Sequence, residues 1–371
     1  MANTFITPSD VVRDANLILK DDLIAANLVN RSVEQRFAKK VGDTVTVKVP
    51  PTIAASEFSS TTSAADVTET STDVVLDKHF YVRADLTSDE LLLELDDFNT
   101  VVTMPAMRGL VRAIDNECIA KIAGGFSRNI SGTAGTSPST HAHMLAAEKT
   151  IFDNRGNTDL LVALISSTVH ASFAQLNIFT SSDFGQDKPN GLRSNSLGKV
   201  SNINFFRSPN VGTIDFGDVA GTPALSAAGT AGDATVAIDG LTAATGTIKE
   251  GARFTIAGTA TVYTVTADAT IASNAATLAI TPVLSANEDE DDVLTFETEQ
   301  TEDVVYNPGA VAGAIIPGPA MSNNAATSFI DGIGLRIISD TSTSTLATTW
   351  VFDLYCGFKV VRNEWGAIMQ G

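Results

Sequence analysis

Apolar residues recur at helical spacing near the start of the chain: Val11, Val12, Ala15, Ile18, Leu19, Leu23 and Ala26. Pro8 fits a first turn and Asp10 favours that end, so the spacing predicts a helix over residues 8 to 30. The period then changes from 3.6 to 2. After Gly42-Asp43, Val45, Val47 and Val49 alternate with Thr44, Thr46 and Lys48, which predicts a half-buried strand ended by Pro50-Pro51. Alternation returns downstream. Val74, Leu76, Phe80, Val82, Ala84 and Leu86 share one face, and Asp77, His79, Tyr81, Arg83 and Asp85 the other, with Lys78 out of pattern. Between the two runs, eleven of residues 50–73 are Ser or Thr, and no Lys or Arg occurs from Val49 to Asp77. Such a stretch has little to bury. The expectation is a long β-arm with a polar tip; because an isolated two-stranded arm is marginal in water, it needs a surface to lie on.

Ser88, with Asp89 and Glu90, opens a helical stretch, and a stronger helix is expected from about Met104 to Ile122. Met107, Leu110, Val111, Ile114, Cys118, Ile119 and Ile122 form its stripe, Pro105 suits its first turn, and Gly124-Gly125 reads as its stop. Cys118 lies in the stripe and reads as a small core residue. From Thr140 the pattern is mixed: a helix to Asn154, a buried strand from Leu160 to Ile165, and a helix capped by Ser167 or Thr168 running to about Leu176. A polar loop over 180–198 leads into one strand, KVSNINFFRS. After Gly212 the runs ATVAIDG, ARFTIAG, VYTVTAD, ATLAITP and DVLTFET predict the strands of a small antiparallel barrel or sandwich. The mixed pattern returns after Val305 and ends in strand-like GIGLRIIS and TTWVFDLYCGFKVV.

Charge marks the same segment. The chain has 371 residues and a formal net charge of −19, of which −14 falls between Ser208 and Leu335, where only Lys249 and Arg253 are basic. That shift is a domain-boundary signal, and the length suggests two or three domains. A strongly acidic chain lacks the basic footprint of a protein that binds nucleic acid through phosphates. Two cysteines, Cys118 and Cys356, cannot make a disulfide framework and are expected to be unpaired. No apolar run approaches a membrane span, and the opening MANTFITPSDVVRDAN lacks the basic-then-apolar order of a signal peptide.

No catalytic constellation emerges. The chain has no GxSxG, no phosphate loop ending GK[ST], no HExxH and no CxxC pair. His141 and His143, two apart on a helix, would face different ways. The run Asn287 to Asp292 lacks the alternate ligand spacing and mid-loop Gly of an EF-hand and reads as a solvated turn. The Gly-rich pieces near Gly124 and Gly132 lack strand–turn–helix order. No catalytic, cofactor-binding or metal residue is therefore assigned, no cofactor is expected, and the chain is read as a non-enzyme.

The order of parts is itself a pattern: helical arm, GDTVTVKVPP strand, long polar arm, return strand, long helix, then an α/β region interrupted by β-structure, then terminal strands. This succession resembles the major capsid (coat) protein of tailed bacteriophages with the Hong Kong 97-type fold, and within it the podovirus coat proteins that carry an inserted β-domain. The opening TPSDVVRDANLILKDDLIAANLVN, the segment SLGKVSNINFFRSPNV, NPGAVAGAI and the closing LYCGFKVVRNEWGAIMQG carry the likeness with it.

The resemblance implies an α+β fold with an N-terminal arm over 1–43 and an E-loop over 44–86. It implies a peripheral domain with the spine helix over 87–125 and 346–371, an axial domain over 126–212 and 304–345, and an inserted all-β, barrel-like domain over 213–303. It further implies a virion protein, assembled in the host cytoplasm, whose copies form hexamers and pentamers of an icosahedral head shell. The implied partners are a separate scaffolding protein and a portal; DNA is enclosed without sequence-specific binding, and no membrane is involved. Family members that weld their shells use an E-loop Lys, which Val49 to Asp77 lacks, so no weld is expected. No long charged helical segment precedes the arm, so no fused scaffold is expected either. Two other readings stand beside this one: an encapsulin-like compartment shell, usually a shorter chain without a β-insertion, and an acidic, β-rich surface-layer or adhesin protein, which would need a secretion signal.

Overall fold

A computed structural model describes residues 8–33, 44–49, 70–87, 98–127, 129–133, 135–176, 197–259, 261–299, 301–320, 325–342 and 347–371. The tip of the β-arm, the stretch opened by Ser88 and most of the 180–198 loop lie outside them. The chain divides into two compact units, Met1–Ile122 with Pro308–Arg362, and Ala123–Asn307 with Asn363–Gly371.

In the first unit, helix α1 (Pro8–Asp22) buries Val11, Val12, Ala15 and Leu19. Asn16 shares that face and donates to Ser328 Oγ (3.2 Å) and the Ile333 carbonyl (3.0 Å), tying the helix to two strands. The helix ends at Asp22, short of the expected residue 30, and a 3-10 turn follows at Ala25–Leu28. The cause is Asp115, whose carboxylate accepts from the amides of Ile24 (3.0 Å) and Ala26 (3.2 Å) and so takes two donors out of any continuing helical ladder.

The strand Thr44–Val49 pairs antiparallel with Thr70–Val75, Val45 lying opposite a buried Val74. The return strand is not continuous. It breaks at Leu76-Asp77, and Lys78–Thr87 changes partner to pair antiparallel with Ala347–Val360. Gly357 permits the crossing, because a Cβ there would strike the Val75 carbonyl oxygen. Lys78 lies on the apolar face, a cation out of pattern there, with its ammonium 3.9 Å from Glu117.

Five strands form this unit's main sheet, in the order Ala325–Ile330, Ile333–Thr341, Val311–Ile316, Ala347–Val360, Lys78–Thr87. Helix α2 (Met104–Phe126), preceded by a π turn at Asn99–Thr103, lies against it: Lys121 reaches Asp77 (3.5 Å), and Phe98 tilts against Trp350 at 4.8 Å. The stripe residues Met107, Leu110, Ile114, Cys118 and Ile122 are buried as expected. Gly124-Gly125 does not stop the helix, which runs on to Phe126. That ring is buried against Tyr306 (centroids 5.9 Å apart) and against Gly366, where any side chain would collide with it, and this packing holds the last turn.

The second unit contains a six-stranded sheet ordered Ile130–Ser131, Gly366–Met369, Val304–Tyr306, Leu161–Ile165, Ile203–Arg207, Lys199–Val200. Helices α3 (His141–Asp153) and α4 (Ser167–Ala174) complete its core with Met144, Ala147, Ile151, Val169 and Phe173. The cap of α4 is Ser166, one residue before the expected pair; its Oγ accepts from the Val169 amide at 3.3 Å. KVSNINFFRS is not one strand but a hairpin, Lys199–Val200 and Ile203–Arg207, turned at Ser201 and Asn202 with φ of 49° and 63°. Positive φ at both central residues is the geometry that lets a two-residue turn follow strand twist.

Between these elements, six antiparallel strands run in the order Leu294–Phe296, Arg253–Ile256, Tyr263–Val265, Ala276–Thr281, Thr235–Leu241, Gly221–Leu225. The two edges meet through a bridge between Ala224 and Val293, with Leu225 N to Asp292 O and Asp291 N to Leu225 O both 2.9 Å. A second ladder joins Thr245–Ile248 to Ala269–Ala272. One core, including Phe216, Ile238, Phe254, Tyr263 and Leu278, serves both.

The boundaries within the rest of the chain differ from the sequence reading. The chain passes between units at 307/308 and 362/363, not at 345/346. Ile333–Thr341 pairs with Ala347–Val360 in a single sheet, so no division can fall between them, whereas Gly366–Met369 pairs with Val304–Tyr306 in the other unit. The second pairing joins strands remote in sequence, and local pattern does not reveal it.

Candidate functional site

The two histidines that stand close in sequence are engaged separately. His141 Nε2 lies 3.0 Å from Ser201 Oγ, while His143 Nδ1 accepts from the Ser139 amide at 3.1 Å and closes the turn into α3. The acidic run forms a tied turn: Asn287 Oδ1 accepts from the Ala231 amide (2.8 Å) and Asp292 Oδ2 from the Asp289 amide (2.7 Å). Among the described residues, no three His, Cys, Asp or Glu side chains are placed to hold a metal ion. Both cysteines are buried thiols. Burial pushes Cys118 well up and Cys356 up to about 12, so neither supplies a thiolate near neutral pH.

Three polar clusters escaped the sequence reading. Asp115 is buried in the α2 stripe, where burial raises its pKa although the amides it accepts from oppose the shift. Its place among Val111, Cys118 and Ile122 fits the helical period, so an acid at a core position was the available signal. In the five-stranded sheet, the buried Asp353 accepts from Arg336 Nε (2.8 Å) and Nη2 and pairs with His79 Nε2 (2.8 Å). The His79 ring stacks on Tyr355 at 4.1 Å, and Arg336 Nη1 donates to the Pro319 carbonyl at 2.7 Å. Together these groups cross-link three strands. The third cluster joins Arg253 to Glu297 (2.9 Å) and Glu302 (2.5 Å), all three nearly inaccessible. Its signal was Arg253 itself, one of two cations in the acidic segment.

Each unit also exposes apolar side chains. In the first, Tyr81 on Lys78–Thr87 is 66% exposed, and Val75, Val101 and Phe329 are open as well. In the second, Phe152 (69%) and Leu160 (68%) are exposed, and Leu145, Glu148, Lys149 and Phe152 on α3 line a shallow groove with Thr158. Both units thus leave large apolar side chains open at their surface. Among the described residues, no helix is long and apolar enough to cross a membrane.

No family model and no curated protein matches the chain. Solved structures do match its fold. A chain from Mycobacterium phage Che8 superposes with a TM-score of 0.52 at 14% identity, covering 93% of this chain and 90% of that one. A chain from the capsid of the cyanophage P-SCSP1u gives 0.50 at 12% identity, covering 93% and 87%. The shared path includes elements of both units. The chain thus has the fold of a phage capsid chain, of mixed α+β class.

Proposed function

We propose that this chain is the major capsid protein of a tailed bacteriophage, self-assembling into the icosahedral head shell that encloses the genome. The observation that carries the reading is the likeness of fold to the P-SCSP1u capsid chain over nearly the whole length. The exposed apolar side chains of both units and the arm-like Thr44–Val49/Thr70–Val75 ribbon support it, because a subunit built for a lattice leaves surface for its neighbours.

Within that reading the fold is the Hong Kong 97 type. Residues 1–43 are the N-terminal arm, 44–86 the E-loop, α2 the spine helix of the peripheral domain, and 213–303 an inserted β-barrel domain of the axial domain. The peripheral domain takes in 308–362, and the axial domain takes in 304–307 and 363–371. The protein acts as a structural part and not as an enzyme, forms hexamers and pentamers, works with a separate scaffolding protein and a portal in the host cytoplasm, and holds DNA without reading it.

Negative-stain microscopy and light scattering of the purified chain, alone and with co-expressed scaffold, test this. Closed shells or shell-like polymers are expected, and deletion of residues 52–72 should leave a folded subunit that no longer assembles. Small closed oligomers under every condition would overturn the reading. Shells that capture an enzyme cargo in place of DNA would favour the encapsulin-like alternative.

A further inference from the structure

We propose that the junction between the β-segment and the six-stranded sheet is a proton-binding joint, in which one proton taken up by the buried Asp303–Glu302 carboxylates tightens the attachment.

The two ends of the β-segment leave the sheet side by side: Thr213 bridges Thr301, and the Glu302 amide donates to the Gly212 carbonyl at 3.4 Å. Buried charge is unbalanced there. Arg253 supplies a buried guanidinium, on the strand Arg253–Ile256, 5.6 Å from the Phe216 ring centroid. Against it stand Glu297 and Glu302, and next along the chain the fully buried Asp303. Among the described residues, Glu297 Oε1 and Glu302 Oε2 are buried without a hydrogen-bond partner. A nearby fourth acid, Glu299, accepts from the Phe216 amide at 3.1 Å.

Asp303 reaches across to the start of α4. Its Oδ1 accepts from the Ser166 amide at 2.5 Å, and its Oδ2 lies 3.0 Å from Thr301 Oγ1 and 3.5 Å from Ser166 Oγ. From the strand Gly366–Met369, the Met369 amide donates to its backbone carbonyl at 2.7 Å. Two carboxylates share one guanidinium, and the buried Asp303 carboxylate, held by Ser166 and Thr301, adds a third negative charge next along the chain; out of water, that excess is relieved by a proton. Burial is the main cause that lifts Asp303 to about 6, outweighing the hydrogen bonds from Ser166 and Thr301, and Glu302 is also raised by burial.

The sign follows from linkage. An acid whose pKa is higher in the closed joint than in the open chain binds its proton more tightly when closed. Closure is therefore favoured as pH falls through about 6, and that gain is lost as pH rises back through it. The inference does not depend on shell formation.

Hydrogen exchange of the full chain, read by mass spectrometry at pH 7.5 and 5.0 and corrected for intrinsic rates, tests it. Protection of peptides spanning 161–170 and 301–306 should rise about tenfold at the lower pH, the factor linkage gives for a shift of this size. Asp303→Asn, which keeps an acceptor for the Ser166 amide and removes the charge, should lose most of that pH dependence. Unchanged or reduced protection in the parent at pH 5.0, or the same pH dependence in Asp303→Asn, would overturn the joint. Should that variant fail to fold, the carboxyl-carbon NMR titration of Asp303 in the parent decides: a midpoint near 6 supports the joint, and one in the ordinary carboxylate range overturns it.

Discussion

The β-segment and the β-arm are both built from short alternating strands, yet they solve the edge problem in opposite ways. The segment joins its edges through Ala224 and Val293 and encloses eighteen buried core residues of its own. The base of the arm has one ribbon, and its apolar cluster counts five buried residues, of which Ala312 and Ala314 come from a strand more than two hundred residues away. Alternation gives both regions a face to bury. Only the segment has enough strands to bury that face against itself, and the arm must borrow a surface.

The sharpest way to break this contrast is to separate the pieces. Residues 213–303 expressed alone should give dispersed amide signals and a cooperative melt, while 44–86 alone should stay unfolded. A collapsed spectrum from the first fragment would count decisively against its independence. Next in size, Phe254→Ala removes a ring packed 5.7 Å from Tyr263 and 5.3 Å from Phe296. It should cost the segment about 3–5 kcal/mol in denaturant unfolding, and a loss below 1 kcal/mol would mean the core is not close-packed there. Gly357→Ala sets a methyl against the Val75 carbonyl where the arm crosses the sheet. It should cost about 1–3 kcal/mol, seen as a lower midpoint for the first unit with the isolated segment's melt as an unaffected reference. The smallest effect belongs to Ser166→Ala, which removes the α4 cap and should cost about 1 kcal/mol, checked by thermal melts at neutral pH.

Sequence patterning located the parts whose contacts are local. The α2 stripe from Met107 to Ile122 is buried at the expected spacing, and all five runs read as strands after Gly212 appear in the six-stranded sheet. Most of what escaped was decided by distant partners. The end of α1 depends on Asp115, the break at Leu76-Asp77 on Gly357, and the turn at Ser201-Asn202 on a two-residue hairpin that an apolar count passes over. Of the polar clusters, Asp115 and Arg253 were visible as charges at positions patterned for burial. Asp303 was not: beside Glu302 in an acidic stretch it looks like solvated surface, and only the strand register that sets it at the α4 cap shows otherwise.

The interleaving of the two units also sets a timetable for synthesis. The sheet that receives α1 and the arm takes its central strands from Val311–Ile316 and Ala347–Val360, made long after residue 122. At the usual 5–20 residues per second, the leading unit waits roughly ten to forty seconds on the ribosome for Pro308 onwards. Gly366–Met369 comes later still, and the second unit's sheet is incomplete without it. An unfinished chain therefore has no finished platform for its arm.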